Sequence, residues 1–180
     1  MKKILLGISL LVLIVVGFFI SQKTEEKIVT EENGADKIMA LSSFTIIADM
    51  VAEVGGDKVE SSSLTKPGAN IHGYEPTPSD LIQASKAEIF FENGLNLELW
   101  TSKLKANIPN VPMVKVSEGV QLISIEEGPY VGKPNPHAWM SPKQGLIYIE
   151  NIRKGLTSVA PQHEVYFKER ADAYAKELMV

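Results

Sequence analysis

Two histidines in proline-rich segments are the residues of this 180-residue chain best suited to chemistry. His72 lies within residues 68–80 and His137 within residues 133–142. Imidazole is the commonest metal ligand among side chains, and proline lowers the entropy cost of holding a loop in one conformation. The 180 residues contain no cysteine, which excludes thiolate ligands, disulfides, a cysteine nucleophile and a lipidated cysteine. We therefore expect both histidines to hold one transition metal.

Four other side chains that could do chemistry have simpler explanations. His163 falls in the first turn of a polar helix and is expected to be solvated. Glu75 could be a further ligand or could orient an imidazole, but a carboxylate near a helix N-terminus is also favoured by the helix dipole. Asp80 completes a capping box that begins at Thr77. Trp139 is expected to pack its loop onto the body, with stacking on a bound group as the alternative.

The sequence lacks the signatures of the common enzyme classes. It contains no His-Glu-x-x-His motif, no phosphate-binding glycine loop and no Gly-x-Ser-x-Gly elbow. We therefore predict that the protein is not an enzyme, and keep a secreted metallohydrolase with an open two-histidine site as an alternative. The net charge of −4 provides no basic face, so nucleic acid is not expected as a partner.

Strand and helix signals alternate in the part of the chain that must position the histidines. Apolar runs predict strands at 37–41, 59–64, 87–91 and 111–116, and helical spacing predicts helices at 44–54, from 78, at 97–106 and at 142–160. The first helix is expected to use Ser42 or Ser43 as its N-cap. This alternation predicts an α/β fold with a mostly parallel four-stranded sheet flanked by helices. Both histidines follow a strand and precede a helix, where open α/β sheets bind ligands.

The first 36 residues differ in composition from the rest. Lys2 and Lys3 precede an apolar run at residues 4–20, so residues 1–21 are predicted to be a signal peptide or an N-terminal membrane anchor, and both remain open. Residues 22–36 are polar and are predicted to form a flexible linker. The two lysines orient the body away from the cytoplasm, which predicts an exported protein in the periplasm or on the outer face of the cytoplasmic membrane.

Residues 68–80, 93–98 and 135–140 together resemble a known family, and the likeness runs from about Lys37 to the last residue. The family comprises the metal-binding receptors of manganese, zinc and iron ABC importers, also called cluster A-I solute-binding proteins. The resemblance implies two α/β lobes joined by a long helix, with a metal between them. The N-terminal lobe would be residues 37–160 and would supply His72 and His137. We expect residues 161–180 to be a truncated inter-lobe helix and the C-terminal lobe, with its remaining ligands, to be absent.

The same resemblance implies the function. Such a receptor captures a divalent transition metal for the permease and ATPase subunits of an ABC importer. The histidine segments look most like the manganese or manganese/iron type, and residues 121–136 contain no histidine, which also favours manganese or iron over zinc. We therefore expect Mn²⁺ as the ligand, with Fe²⁺ or Zn²⁺ as alternatives, and membrane association through the N-terminal segment. A surface adhesion protein of the same fold is a further alternative.

Overall fold

The computed structural model describes residues 37–179, which contain one four-stranded parallel sheet. Its strands are β1 (Ile38–Ser42), β2 (Val59–Ser63), β3 (Ile89–Glu92) and β4 (Met113–Lys115), arranged in the order β2-β1-β3-β4. All three strand pairs are parallel, which confirms the predicted α/β sheet. The signal peptide or anchor predicted at residues 1–21 and the linker at 22–36 lie outside the described residues.

Helices connect the strands and cover both faces of the sheet. They are α1 (Thr45–Gly55), α2 (Pro78–Lys86), α3 (Thr101–Asn107), α4 (Pro142–Val159) and α5 (Glu164–Leu178). Short 3₁₀ turns occupy Gly56–Lys58, Ala138–Met140 and Pro161–His163. Within residues 37–179, no helix combines the length and the apolar character that a membrane crossing requires.

Alternating side chains on the central strands divide the core into two clusters. Ala40 and Phe91 face a large cluster, whereas Leu41 and Phe90 face a small one, because successive strand residues point to opposite faces. The large cluster takes its helical members from α1, α4 and α5, and the small cluster takes its helical members from α2 and α3. The sheet is thus the middle layer of three.

One predicted N-cap and one predicted helix start were wrong. Helix α1 begins at Thr45 with Phe44 as its N-cap residue, not with Ser42 or Ser43. The Ser43 hydroxyl is already committed, because it donates to the buried Glu98 carboxylate at 2.6 Å. Helix α3 begins only at Thr101, since the residues from 93 to 100 form a tight loop instead.

The predicted start of α2 is confirmed in detail. Thr77 is the N-cap, Pro78 is the first helical residue, and Thr77 and Asp80 form a reciprocal capping box. Thr77 N donates to Asp80 Oδ2 at 2.7 Å, and Asp80 N donates to the Thr77 hydroxyl at 3.4 Å. This box fixes the exit of the loop that carries His72.

Candidate metal centre

The structure brings His72 and His137 together. His72 is exposed on the loop between β2 and α2, and His137 is half-buried between β4 and the 3₁₀ turn Ala138–Met140. Their ring centroids are 5.6 Å apart and the ring planes meet at 63°. Metal–imidazole bonds of about 2.0–2.1 Å place the centroids of two rings on one ion about 5 Å apart. The observed separation is thus close to the spacing of two rings on one ion.

Asn135 determines which nitrogen of His137 is available. The backbone N–H of His137 donates to Asn135 Oδ1 at 3.0 Å, and His137 Nδ1 lies 2.9 Å from the same oxygen. An amide oxygen only accepts, so Nδ1 carries the proton in the neutral ring and Nε2 keeps the lone pair. Metal-binding histidines are commonly oriented in this way. No signal in the sequence singles out Asn135, although it lies within residues 135–140, which carry the family resemblance.

Trp139 anchors the His137 segment to the body, as predicted. Its ring centroid lies 5.1 Å from that of Phe44, and it packs against the large cluster. The Trp139 ring also lies 5.2 Å from the His137 ring. Burial lowers the pKa of His137, and the nearby His72 lowers it further. Both effects favour the neutral imidazole that a metal requires.

The His72 loop is held by contacts to Trp100 and to the capping box. Trp100 Nε1 donates to the Ile71 carbonyl at 3.0 Å, and the Tyr74 ring lies 5.1 Å from the Trp100 ring. The Tyr74 hydroxyl donates to Asp80 Oδ2 at 2.8 Å. Burial, the hydrogen bond to Asp80 and the charge of Asp80 raise the pKa of Tyr74 to about 12. Asp80 therefore does more than cap α2, because it also ties down the loop two residues after His72.

The loop between β3 and α3, residues 93–100, has an unusual backbone. Gly94, Leu95 and Asn96 all have positive φ, at 84°, 53° and 61°. A left-handed conformation costs a residue such as Leu95 about 1–3 kcal/mol and persists only where the surroundings enforce it. The sequence predicted a helix from Leu97 because nothing in its residue types marks Leu95 as left-handed.

A buried carboxylate closes this loop. Glu98 Oε1 accepts from Asn93 N at 2.8 Å and from Ser43 Oγ at 2.6 Å, and Oε2 accepts from Gly94 N at 3.1 Å. Burial raises the pKa of Glu98 and the Glu92 charge raises it further, whereas the three donors act in the opposite direction. The carboxylate thereby satisfies two backbone N–H groups that the tight loop would otherwise leave unpaired.

Two other predicted candidates lie apart from the histidine pair. His163 ends the turn Pro161–His163 with its ring 6.0 Å from that of Phe167, so it is partly buried and not fully solvated as expected. Glu75 is exposed. Within residues 37–179, no three histidine or carboxylate side chains are arranged to hold a metal ion. In the part of the chain that the structure describes, the two histidine rings thus form a pair without a third such side chain beside them.

Comparisons with known proteins show which proteins this chain resembles. A family model described as zinc-uptake complex component A, periplasmic (ZnuA), matches residues 41–179. The iron-binding protein YfeA of Yersinia pestis is 46% identical over 144 residues, which cover 80% of this chain and 46% of YfeA. The manganese ABC transporter substrate-binding lipoprotein PsaA of Streptococcus pneumoniae is 32% identical, covering 99% of this chain and 58% of PsaA.

A solved structure has the same fold. The Mn-bound periplasmic metal-binding protein of Candidatus Liberibacter asiaticus superposes with a TM-score of 0.71 at 35% identity, covering 78% of this chain and 53% of that one. The chain spans about half the length of the relatives it matches. Since the family model covers most of the chain, the chain belongs to the ZnuA family of metal-binding, substrate-binding proteins of manganese, zinc and iron ABC importers.

Proposed function

We propose that His72 and His137 are metal ligands, and that the protein captures a divalent transition metal outside the cytoplasm. The observation that carries this proposal is the pairing of the two rings at 5.6 Å, with Nε2 of His137 left free by its contact to Asn135. Its role is binding and delivery, to the membrane permease and ATPase subunits of an ABC importer. A relative named as a manganese ABC transporter substrate-binding lipoprotein supports these partners and an extracytoplasmic location.

Mn²⁺ is the proposed physiological metal, with Fe²⁺ or Zn²⁺ as alternatives. One relative is named for iron binding, another for manganese, and a related structure holds manganese. Imidazole nitrogen binds Zn²⁺ more tightly than Mn²⁺ in the general order of divalent metals. We therefore expect the isolated chain to bind Zn²⁺ more tightly than Mn²⁺. This preference is compatible with Mn²⁺ as the physiological metal, because the metal bound in the cell also depends on which metal is available there.

Titration calorimetry with Zn²⁺ and Mn²⁺ on single-histidine variants tests the ligand assignment. His72→Ala and His137→Ala should each weaken Zn²⁺ binding at least about tenfold, because each removes one of two nitrogen donors. His163→Ala is the matched control and should keep the original affinity, since its ring contacts Phe167. Unchanged affinity in both site variants would overturn the assignment.

A further inference from the structure

The two residues that precede the histidines are held by the same loop. The carbonyl of Ile71, before His72, accepts from Trp100 Nε1 at 3.0 Å. The carbonyl of Pro136, before His137, accepts from Asn93 Nδ2 at 3.0 Å. Asn93 and Trp100 are the first and last residues of the β3–α3 loop, residues 93–100. Neither histidine ring contacts that loop through a hydrogen bond, so the connection runs through backbone carbonyls.

The contact to Pro136 fixes the peptide unit that leads into His137. Its carbonyl oxygen is held by Asn93 Nδ2, and its N–H, which belongs to His137, donates to Asn135 Oδ1 at 3.0 Å. Both polar ends of one planar unit are therefore restrained. Pro136 is buried and its own ring fixes φ. Little freedom remains in the direction in which the His137 side chain leaves the backbone.

Tyr148 dictates that residue 93 presents an N–H to Pro136. The Tyr148 hydroxyl donates to Asn93 Oδ1 at 2.6 Å, and Asn93 Nδ2 donates to the Gly94 carbonyl at 3.0 Å as well as to Pro136. Asn93 is fully buried and every polar group in it has a partner, including its carbonyl, which accepts from Ser117 Oγ at 2.6 Å. An aspartate there would direct an anionic oxygen at two carbonyl oxygens. Only an amide satisfies all of these partners.

The loop that links Asn93 to Trp100 is itself rigid. Three consecutive residues in the left-handed region make it compact, and Glu98 joins its start to Ser43 beyond the end of β1. Trp100 is buried in the small cluster, where Leu104 packs with it. The distance between the two N–H donors is therefore set by the fold and not by the loops that carry the histidines.

We propose that the β3–α3 loop positions both metal ligands, with Asn93 and Trp100 as positioning residues that fix the separation of the two imidazoles before metal arrives. This inference rests on the proposed function of His72 and His137. It also assigns a role to residues 93–98, which the proposal that His72 and His137 are metal ligands does not explain by itself. The loop that follows the central strand β3 would then preorganise the metal site, although the ligands lie on the loops that follow the edge strands β2 and β4.

Two variants of the full chain test the proposal. Trp100→Phe keeps an aromatic ring but deletes the N–H that holds Ile71, and Asn93→Leu keeps the volume but deletes the N–H that holds Pro136. Each should weaken Zn²⁺ binding by about tenfold to a hundredfold, as is common for residues that orient metal ligands. Electron paramagnetic resonance of bound Cu²⁺ should change from two coordinated imidazole nitrogens to one.

Matched controls separate positioning from stability. Ser117→Ala removes a bond to the Asn93 carbonyl but leaves the amide on Pro136, and Leu104→Val disturbs the cluster around Trp100 without touching Ile71. Both should lower the unfolding midpoint and keep Zn²⁺ affinity within about twofold. If Asn93→Leu does not fold, Tyr148→Phe replaces it, because it removes the donor that orients the Asn93 amide and should weaken Zn²⁺ binding. The same hydroxyl also accepts a hydrogen bond from the Trp139 backbone, so the Cu²⁺ spectrum of this variant is compared with that of Trp100→Phe.

Two results would overturn the proposal. One is unchanged Zn²⁺ affinity and an unchanged two-nitrogen Cu²⁺ spectrum in folded Trp100→Phe together with folded Asn93→Leu or Tyr148→Phe. The other is an equal loss of affinity in the two controls, which would mean that binding follows stability alone. The histidine variants distinguish failure of the positioning role from failure of the proposed function. If they abolish Zn²⁺ binding while the loop variants do not, the histidines are ligands and only the positioning role of the β3–α3 loop is wrong.

Discussion

At the scale of single residues, the orientation of His137 is the best-defined feature of the candidate site. Asn135 Oδ1 contacts both its backbone N–H and its Nδ1, while burial and His72 keep the pKa of the ring below its usual range. A histidine with a lowered folded-state pKa is protonated more readily when unfolded. Its contribution to stability is therefore complete above about pH 6.5 and is lost as the pH falls toward the folded pKa.

The titration of His137 can be measured directly. In metal-free protein, the ring carbon and proton shifts should give a midpoint below the value of about 6.5 of an unperturbed histidine. His72→Ala should move that midpoint upward, because it removes one of the two causes of the shift. A midpoint at or above 6.5, or no response to the His72 change, would contradict the structure.

The tautomer assignment leads to a second prediction at the same scale. Nitrogen shifts of neutral His137 should show the proton on Nδ1, and Asn135→Ala should lose that preference because its acceptor is removed. Zn²⁺ affinity should fall about tenfold in the same variant. Asn107→Ala is the control, since the Asn107 side chain donates to the Lys103 carbonyl of its own helix at 2.8 Å. An equal loss of Zn²⁺ affinity in both variants would contradict a specific role for Asn135 in orienting His137.

At the scale of elements, close packing of α4 on the sheet depends on one glycine. A side chain at Gly155 would bring its Cβ to 2.8 Å from Phe91 and 3.1 Å from Val114. Phe91 is a fully buried aromatic ring and cannot move aside cheaply. A side chain at Gly145, on the same helix, would approach only the flexible end of Leu178, at 2.8 Å.

These two glycines form a matched pair. Alanine is favoured over glycine inside a helix by about 1 kcal/mol, whereas overpacking a core costs about 1–3 kcal/mol. Gly155→Ala should therefore lower the free energy of unfolding, and Gly145→Ala should leave it unchanged or raise it. Urea denaturation followed by circular dichroism distinguishes them. Equal effects of the two changes would show that α4 can shift on the sheet.

The elements also show what sequence could predict. The alternation of strands and helices and the Thr77–Asp80 box are local patterns, and both were read correctly. The late start of α3 was missed, because the left-handed Leu95 is enforced by a carboxylate bound to a serine 55 positions away. Likewise, Asn93 and Trp100 have meaning only once their partners, 43 and 29 positions away, are in place. Local patterns of residue types do not show which residues distant in sequence will form hydrogen bonds.

At the scale of the molecule, the two clusters share the same strands. Residues of β1 and β3 contribute alternately to the two clusters. Neither cluster can therefore remain packed if these strands separate. The expected behaviour of the described body is a single cooperative transition. Trp100 reports on the small cluster, and Trp139 packs against the large one.

Single-tryptophan variants can check that cooperativity. In Trp139→Phe, the fluorescence of Trp100 should change at the same urea concentration as the far-ultraviolet dichroism, and the reverse variant, Trp100→Phe, should behave in the same way. Each comparison is made within one variant, so any destabilisation by the substitution cancels. A fluorescence change that precedes the dichroism change would indicate that one cluster opens first.

The sequence separations within the parallel sheet and its loops also determine the order in which contacts can form during synthesis. Both pairings of β1 join residues that are far apart in sequence, since Ile38 pairs with Val59 and Ala40 pairs with Ile89, and such contacts form slowly. The bond from Trp100 to Ile71 spans 29 positions, whereas Asn93 reaches Pro136 across 43 and Tyr148 across 55. As the chain is synthesised from its N-terminus, Trp100, which holds the loop of His72, is therefore made before Pro136 and Tyr148, which complete the contacts around His137. We expect metal capture to be among the last properties that the nascent chain acquires.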